Sequence, residues 1–238
     1  MASLDFSRRA ELDELMDGPC SYEELRDCLR DIAKVNRLTL AYRPTMEWLE
    51  RVVRAGRADP SPLRIVDVGC GYGDLLRRIE GWAARRGIAV ELTGVDLNAN
   101  AVRAAREATA AESRISWVAG DVYSYADAAQ VDVVVSSLLT HHLREDEIVR
   151  FVAWMESTAR VGWFVNDLHR QAVPYHVFRV VAAVAGWHRF VRHDGPISIR
   201  RSFVREDWER MCEAAGLGAG AVVIRECRPA RLCVGRLR

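Results

Sequence analysis

The feature that most constrains this chain is Ile65-Val66-Asp67-Val68-Gly69-Cys70-Gly71-Tyr72-Gly73-Asp74, an apolar run that ends in an acid and three alternating glycines. Such a run fits a strand buried on both faces of a parallel sheet. Glycines at positions 69 and 71 strip the following turn of side chains, so a ligand can approach the backbone closely. From about Asp74 to Arg86 the pattern predicts a helix whose unpaired N-terminal amides point back at that turn. Strand, bare turn and helix together read as a cofactor site.

Spacing and charge bear on which cofactor. Dinucleotide-binding chains usually carry G-x-G-x-x-G, with the third glycine packing helix on strand and a pyrophosphate on the helix N-terminus. Here the pattern is G-x-G-x-G, and Asp67 stands two positions before the first glycine. A carboxylate there disfavours a pyrophosphate and attracts the ammonium and sulfonium groups of S-adenosylmethionine. On the motif alone the methyl donor is favoured, with a dinucleotide site or a plain strand-turn-helix as alternatives.

The rest of the chain sets the architecture. A capping box, Ser21-Tyr22-Glu23-Glu24, opens a helix with Leu25, Cys28, Leu29, Ile32 and Val35 on one face, and a second helix starts after Pro44 and ends near Gly56. Residues 1–60 are therefore expected to form a helical N-terminal cap, joined by the linker Arg57-Ala58-Asp59-Pro60-Ser61-Pro62 to a domain over 61–238. Within that domain, strands are expected at 63–68, 89–95, 114–119, 131–136 and 161–166, with helices between most of them. This rhythm implies a doubly wound α/β sheet with right-handed crossovers. Residues 167–202 read as a lid insertion holding an apolar helix and a turn at Arg192-His193-Asp194-Gly195-Pro196. A helix over 203–215 and strands at 221–225 and 231–235 follow.

In open α/β sheets ligands bind beyond the carboxyl ends of the strands, so the residues ending each strand are the informative ones. The second ends Val95-Asp96-Leu97, placing a carboxylate where it can accept from ribose hydroxyls. The third ends Gly120-Asp121-Val122, where an acid and a neighbouring amide suit an adenine edge. The fourth runs through Ser136-Ser137 into Thr140-His141-His142. In these motifs the chain resembles the class I S-adenosylmethionine-dependent methyltransferases, strongly over residues 63–166 and loosely elsewhere. The resemblance implies a Rossmann-like seven-stranded sheet, mostly parallel with one antiparallel strand. It matches Asp67, Gly69 and Gly71 to the methionine end of the cofactor, Asp96 to the ribose, Asp121 and Val122 to the adenine, and Leu97 to an adenine face. Cys70, Asp74 and Ser137 line the same strand ends, and Tyr42 and Arg43 are placed to close over the cofactor from the cap.

His141-His142-Leu143, Asn166-Asp167-Leu168-His169-Arg170 and His193-Asp194-Gly195-Pro196-Ile197-Ser198 resemble a bacterial subgroup of stand-alone small-molecule methyltransferases that often accompany polyketide-type pathways. The expected acceptor is a small aromatic or lipophilic molecule methylated on a hydroxyl. A phenol gains from a base near the pKa of histidine, which makes His142, His169 and His141 the catalytic candidates. Asp167 and Arg170 are candidates to pair and shape the lid, whose Tyr175, Phe178, Val181 and Trp187 suit either a greasy acceptor or lid packing.

Other partners fit poorly. A formal net charge of +1 gives no attraction to nucleic acid, and the fourth strand lacks the prolines of amino-methylating DNA enzymes; Pro19-Cys20 lies before the glycine motif and is incidental. A protein acceptor stays open, whereas the intact acids argue against non-catalytic binding of the cofactor. Six cysteines without a C-x-x-C pair, and no histidine at a zinc-like offset, predict reduced thiols and no metal. The residues from Met1 to Arg9 lack a secretion-signal core and no apolar run is long enough to span a bilayer, so a cytoplasmic enzyme is expected.

Overall fold

Helix α1 (Tyr22–Leu38) starts where its capping box requires: the Glu24 amide donates to Ser21 Oγ at 3.2 Å, and the Ser21 amide donates back to the Glu24 carboxylate at 3.4 Å. Helix α2 (Arg43–Arg54) carries Pro44 in its first turn, where the missing amide costs no hydrogen bond. The remaining elements are β1 (Leu63–Val68), α3 (Asp74–Arg86), β2 (Val90–Asp96), α4 (Ala99–Glu107), β3 (Ser116–Ala119), β4 (Val133–Ser137), α5 (Glu145–Thr158), β5 (Gly162–Leu168), α6 (Ala172–Val184), α7 (Arg189–Arg201), α8 (Arg205–Ala214), β6 (Val223–Cys227) and β7 (Arg231–Leu237). The structure is a computed structural model that describes residues 4–56, 61–124 and 130–238. Positions 57–60 of the expected linker and the first three residues of the N-terminal segment lie outside the described residues.

The seven strands form one sheet in the order β3-β2-β1-β4-β5-β7-β6, with β7 antiparallel to both its neighbours and the other pairs parallel. Every expected strand is present within two residues of its expected bounds. Order reverses between β1 and β4, and that switch point puts the ends of β1, β2 and β4 around one crevice.

Alternation along the buried strands feeds two cores. Val66, Val68, Val95, Val134 and Trp163 pack with Phe151 and Met155 of α5 and Trp208 and Met211 of α8. Ile65, Leu92, Val133, Val135 and Phe164 point the other way, onto Trp48, Leu49 and Val52 of α2 and Leu76, Ile79 and Trp82 of α3. Helix α2 is thus fastened to the sheet, and buried Asn166 of β5 reinforces this by donating to the Ala41 carbonyl and Thr45 Oγ1 at 2.7 and 3.0 Å. Helix α1 packs on α4 and α7.

The segment expected to form a lid departs from expectation at residues 192–196, which are not a turn but the middle of α7, with Pro196 inside the helix. Asp194-Gly195-Pro196 has the composition of a turn, but tertiary contacts select those residues. A Cβ at Gly195 would lie 2.1 Å from the Phe178 ring, so glycine lets α7 approach α6 closely. The Asp194 carboxylate leaves its own helix to accept from the Leu15 and Met16 amides at 2.9 and 3.1 Å. Helix α6 leaves Val173, Val177, Val180 and Val184 exposed along one face. No helix among the described residues is long and apolar enough to cross a membrane.

Candidate active site

At the end of β1 the chain turns through Gly69, Gly71 and Gly73, all with positive φ (70°, 50° and 72°). Gly71 is the bare position: a Cβ there would meet nothing closer than Leu29 at 3.7 Å, and its amide donates to Asp96 Oδ2 at 2.9 Å. Gly73 has a different reason, since a Cβ would strike the Trp117 ring at 2.2 Å. The motif therefore combines an open cradle with a close packing contact. Asp96 also accepts from the Asn98 amide at 2.9 Å, and its carbonyl takes the Gly120 amide, which brings Asp121 and Val122 to the end of β2. Asp121 is exposed and caps the amide of Tyr123, Val122 is buried, and Leu97 stands 77% exposed beside them.

Asp67 is buried with its Oδ1 lacking any partner among the described residues. Burial, then the charges of Asp74 and Asp96, push its carboxyl well above the usual range. Asp96 is raised as well, by burial, against the two amides it accepts. An orphaned, destabilised carboxylate below an open glycine turn fits a ligand that brings positive charge. On the other side of the turn, a cleft of about 420 Å³ is lined by Arg30, Lys34, Arg37, Arg77 and Arg78 with Tyr42, Tyr72 and Asp74. Tyr42 donates its hydroxyl to Asp74, tying α2 to the start of α3. These residues fit S-adenosylmethionine: acids for its cationic centre and ribose, and a basic cleft for its carboxylate.

The second half of the site begins at the end of β4. Ser137, half-buried there, is followed by Leu138 at φ 60°, a left-handed conformation that costs an ordinary residue about 1–2 kcal/mol. It redirects the chain into a 3₁₀ turn, Thr140–His142. Leu139 fills the space over Gly69, where a Cβ would come within 2.9 Å of it. His141 is buried, and its Nδ1 contacts Asp167 Oδ1 at 2.7 Å. Asp167, at the end of β5, also accepts from the His141 amide at 3.1 Å, from its own neighbour's amide at Leu168 and from Thr140 Oγ1. Full burial works to raise its carboxyl, yet the His141 ring and these donors hold it far below the usual range.

A segment whose one regular element among the described residues is a 3₁₀ turn, Leu15–Asp17, completes this half. Residues 4–20 run over the ends of β4 and β5, held by Arg170, which donates to the Phe6 and Ser7 carbonyls, and by Arg9, which donates to the Leu143 carbonyl at 2.9 Å. The segment delivers Glu14 and Asp17. His142 Nδ1 lies 3.2 Å from Asp17, and the Nε2 atoms of His141 and His142 each lie 3.9 Å from a Glu14 oxygen. Helix α7 fixes these acids: Ser198 Oγ donates to Glu14 Oε1 at 2.9 Å and Arg201 reaches Asp17 at 3.1 Å. Burial works against a proton on His142, but Asp17 and Glu14 prevail and raise its pKa. His142 in turn acts electrostatically on Asp96, so the two halves meet.

The expected residues thus separate into those brought together and those left apart. Asp67, Gly69, Gly71, Asp96, Asp121, Val122, His141 and His142 converge. Cys70 is buried behind the turn, its sulfur against Gly94, and burial raises its thiol far above the usual value. Arg43 is exposed and pairs with Glu47 at 2.7 Å on α2. His169 forms a bridge with Phe203, its amide donates to Ala230, and the charges acting on it are Glu226, Arg170 and Glu206; burial lowers its pKa. It is not brought to the other two histidines. Asp167 and Arg170 do not pair with each other: Asp167 serves His141, and Arg170 bridges Asp207 and the Ser202 carbonyl at 2.9 and 2.6 Å. Tyr175 packs on Phe6 and Phe178 on Trp187, at 5.5 and 5.8 Å between ring centroids. All six cysteines are free thiols. A smaller apolar cavity of about 190 Å³ between α2 and the β6–β7 edge contains none of the candidates.

Sequence reading missed Glu14, Asp17, Ser198, Arg201 and the basic cleft. The acids precede any periodic element, and nothing in their spacing links them to histidines more than 120 residues away.

Comparison with known proteins agrees with this geometry. A family profile described as methyltransferase domain matches residues 65–162. The chain is 32% identical over 165 residues to a trans-aconitate 2-methyltransferase of Streptomyces avermitilis, covering 65% of this chain and 58% of that protein. It is 40% identical over 90 residues to an indolepyruvate C-methyltransferase of Streptomyces griseus, covering 35% and 26% respectively. The chain therefore spans less than two thirds of the length of either relative. Among solved structures, the CMeT domain of the citrinin polyketide synthase superposes with TM-score 0.60 at 16% identity, covering 82% of this chain and 52% of that one. Human N-acetylserotonin methyltransferase in complex with S-adenosylmethionine superposes with TM-score 0.59 at 11% identity, covering 92% and 56%. A plantazolicin methyltransferase does so with TM-score 0.57 at 13% identity, covering 91% and 88%.

Proposed function

We propose that the chain, whose residues 65–162 match a methyltransferase-domain profile, is a class I S-adenosylmethionine-dependent methyltransferase that methylates a small aromatic or polyketide-like molecule at an acidic hydroxyl or at the carbon of an enol. When bound, the cofactor supplies a methyl group activated on a sulfonium. What remains for the chain is to hold the two reactants in line and to take a proton from the acceptor. Asp67, Gly69, Gly71 and Asp96 hold the cofactor, with Asp121, Val122 and Leu97 at its base.

The observation that carries the acceptor half is the His141–Asp167 pair. Asp167 holds one ring nitrogen and turns the other, Nε2, toward the gap that Glu14 and His142 enclose. A neutral imidazole oriented by a buried carboxylate accepts a proton at Nε2 and is stabilised once charged. His142 stands beside it with its Nδ1 on Asp17 and, with Glu14, shapes the surface that receives the acceptor. A phenol or an enol has its acidic proton within reach of such a base. The similarity to an indolepyruvate C-methyltransferase supports the enol carbon as an acceptor beside the hydroxyl.

The test is incubation with S-adenosylmethionine labelled in its methyl group and a panel of phenols, resorcinols and arylpyruvates, followed by location of the label. Transfer to oxygen or to the enol carbon supports the reading. Tight cofactor binding without transfer to any of these acceptors, together with transfer to a protein, would overturn it.

A further inference from the structure

Glu14, His141 and His142 enclose a gap. His141 Nε2 lies 3.9 Å from Glu14 Oε1 and His142 Nε2 lies 3.9 Å from Glu14 Oε2, and the potential ligand atoms of the three all fall within 4.8 Å of one another. At 3.9 Å none of these pairs is a hydrogen bond. With one oxygen taken from Glu14 and all three ligand atoms within 4.8 Å of one another, a point no more than about 2.8 Å from each exists, up to several tenths of an ångström beyond the bonds zinc forms with histidine nitrogen and carboxylate oxygen.

What surrounds the three groups matters as much. His141 Nδ1 is held by Asp167 at 2.7 Å and His142 Nδ1 by Asp17 at 3.2 Å. Each imidazole therefore has its outer nitrogen on a carboxylate and its inner one turned to the gap, the arrangement that orients metal-bound histidines and raises their basicity. The Glu14 side chain is 1% exposed, its Oε1 takes the Ser198 hydroxyl, and its Oε2 faces His142. Three carboxylates thus stand around two imidazoles. Arg201 is the cation in contact with two of them, 3.6 Å from Glu14 and 3.1 Å from Asp17, while also donating to the His141 and His142 carbonyls.

We propose that Glu14, His141 and His142 bind a divalent first-row transition ion such as Zn²⁺, Fe²⁺ or Co²⁺. Two imidazoles and one carboxylate leave coordination positions open. Resting on the acceptor assignment above, the ion takes the acceptor's hydroxyl or enol oxygen in one of them and favours its ionised form, the proton leaving to solvent. With the ion present, the Nε2 lone pairs coordinate it instead of receiving that proton. The N-terminal segment then supplies a ligand, and α7 positions it through Ser198 and Arg201.

The experiment uses the full chain, stripped with a chelator and titrated with Co²⁺, reading visible absorption and heat. One Co²⁺ per chain is expected, with affinity at least about 100-fold weaker in Glu14→Gln and in His142→Ala and unchanged in His176→Ala, an exposed histidine on α6. Binding of S-adenosylmethionine by each variant serves as the check that it is folded. No stoichiometric Co²⁺ binding by the folded protein, or equal binding by Glu14→Gln, overturns the inference. So does undiminished methyl transfer by stripped protein shown by elemental analysis to hold no ion, an outcome that leaves the methyl-transfer reading standing. Stoichiometric Co²⁺ binding abolished by Glu14→Gln supports the ion site, even where no acceptor of the panel is methylated.

Discussion

The two halves of the crevice are assembled in opposite ways. At the cofactor end, Asp67, Gly69, Gly71, Asp96 and Asp121 all sit at the ends of adjacent parallel strands, so each follows a recognisable apolar run. At the acceptor end, Glu14 and Asp17 come from the N-terminal segment and its short 3₁₀ turn, His141 and His142 from a turn after β4, Asp167 from β5, and Ser198 and Arg201 from α7. A site made by neighbouring strand ends is fixed by the sheet itself. One made from four distant pieces depends on each piece being held, and here buried side-chain bonds do the holding.

This contrast predicts that damage to one end leaves the other intact. The largest effect should come from Asp167→Asn, which removes the carboxylate that orients His141 and puts an amide donor in its place. Turnover should fall roughly 10³-fold while the dissociation constant for S-adenosylmethionine stays within about twofold, as steady-state kinetics and calorimetry would show. Parallel loss of both quantities would merge the two halves.

Next in size, Asp96→Ala removes a carboxylate that takes the Gly71 and Asn98 amides and is placed for a ribose. A weakening of cofactor binding by about 100-fold follows from losing charge-assisted hydrogen bonds, and equilibrium fluorescence would measure it. Retained affinity would move the ribose elsewhere.

Asp67 sharpens the comparison because it carries a cost in the free protein. Its folded carboxyl titrates above the unfolded one, so its contribution favours the folded state below the unfolded pKa and is lost as pH rises. A cationic ligand reverses that penalty by favouring the charged form. Cofactor affinity should accordingly rise with pH through the range above an ordinary carboxyl, with release of a proton seen as a buffer-dependent heat. Asp67→Asn should raise the melting temperature of the free protein by a few degrees, weaken the cofactor by about tenfold and flatten this pH dependence.

The smallest effect is expected at the acceptor end's support. Asp194→Ala strips α7 of its two bonds to the Leu15 and Met16 amides, which should cost about 1–2 kcal/mol in denaturant unfolding and slow turnover a few-fold, with cofactor affinity unchanged. An unaltered turnover would mean that Glu14 and Asp17 hold their positions without α7.

The same contrast explains what could be read from the chain beforehand. Seven strands, the helices between them and the cofactor acids are local signals: an apolar run, then a glycine or an acid, in fixed order. His141 and His142 were legible because they follow such a strand, but which of the candidate histidines is oriented by a carboxylate depends on the β4–β5 pairing, which no spacing reports. Asp194-Gly195-Pro196 misled for a related reason, since its turn-like composition reflects contacts to Phe178 and the N-terminal segment. Glu14 and Asp17 had no signal at all. They lie in a stretch without periodicity, and only the folded chain puts them beside the histidines.

The central claim is that the acceptor end performs chemistry the cofactor end does not share. It is tested most directly by single-turnover methyl transfer in His141→Gln with saturating S-adenosylmethionine and an acceptor identified from the labelled panel. The account predicts a rate at least about 100-fold below that of the unmodified protein, with cofactor affinity preserved within about twofold. An unchanged single-turnover rate, or a loss traced wholly to weaker cofactor binding, would contradict it.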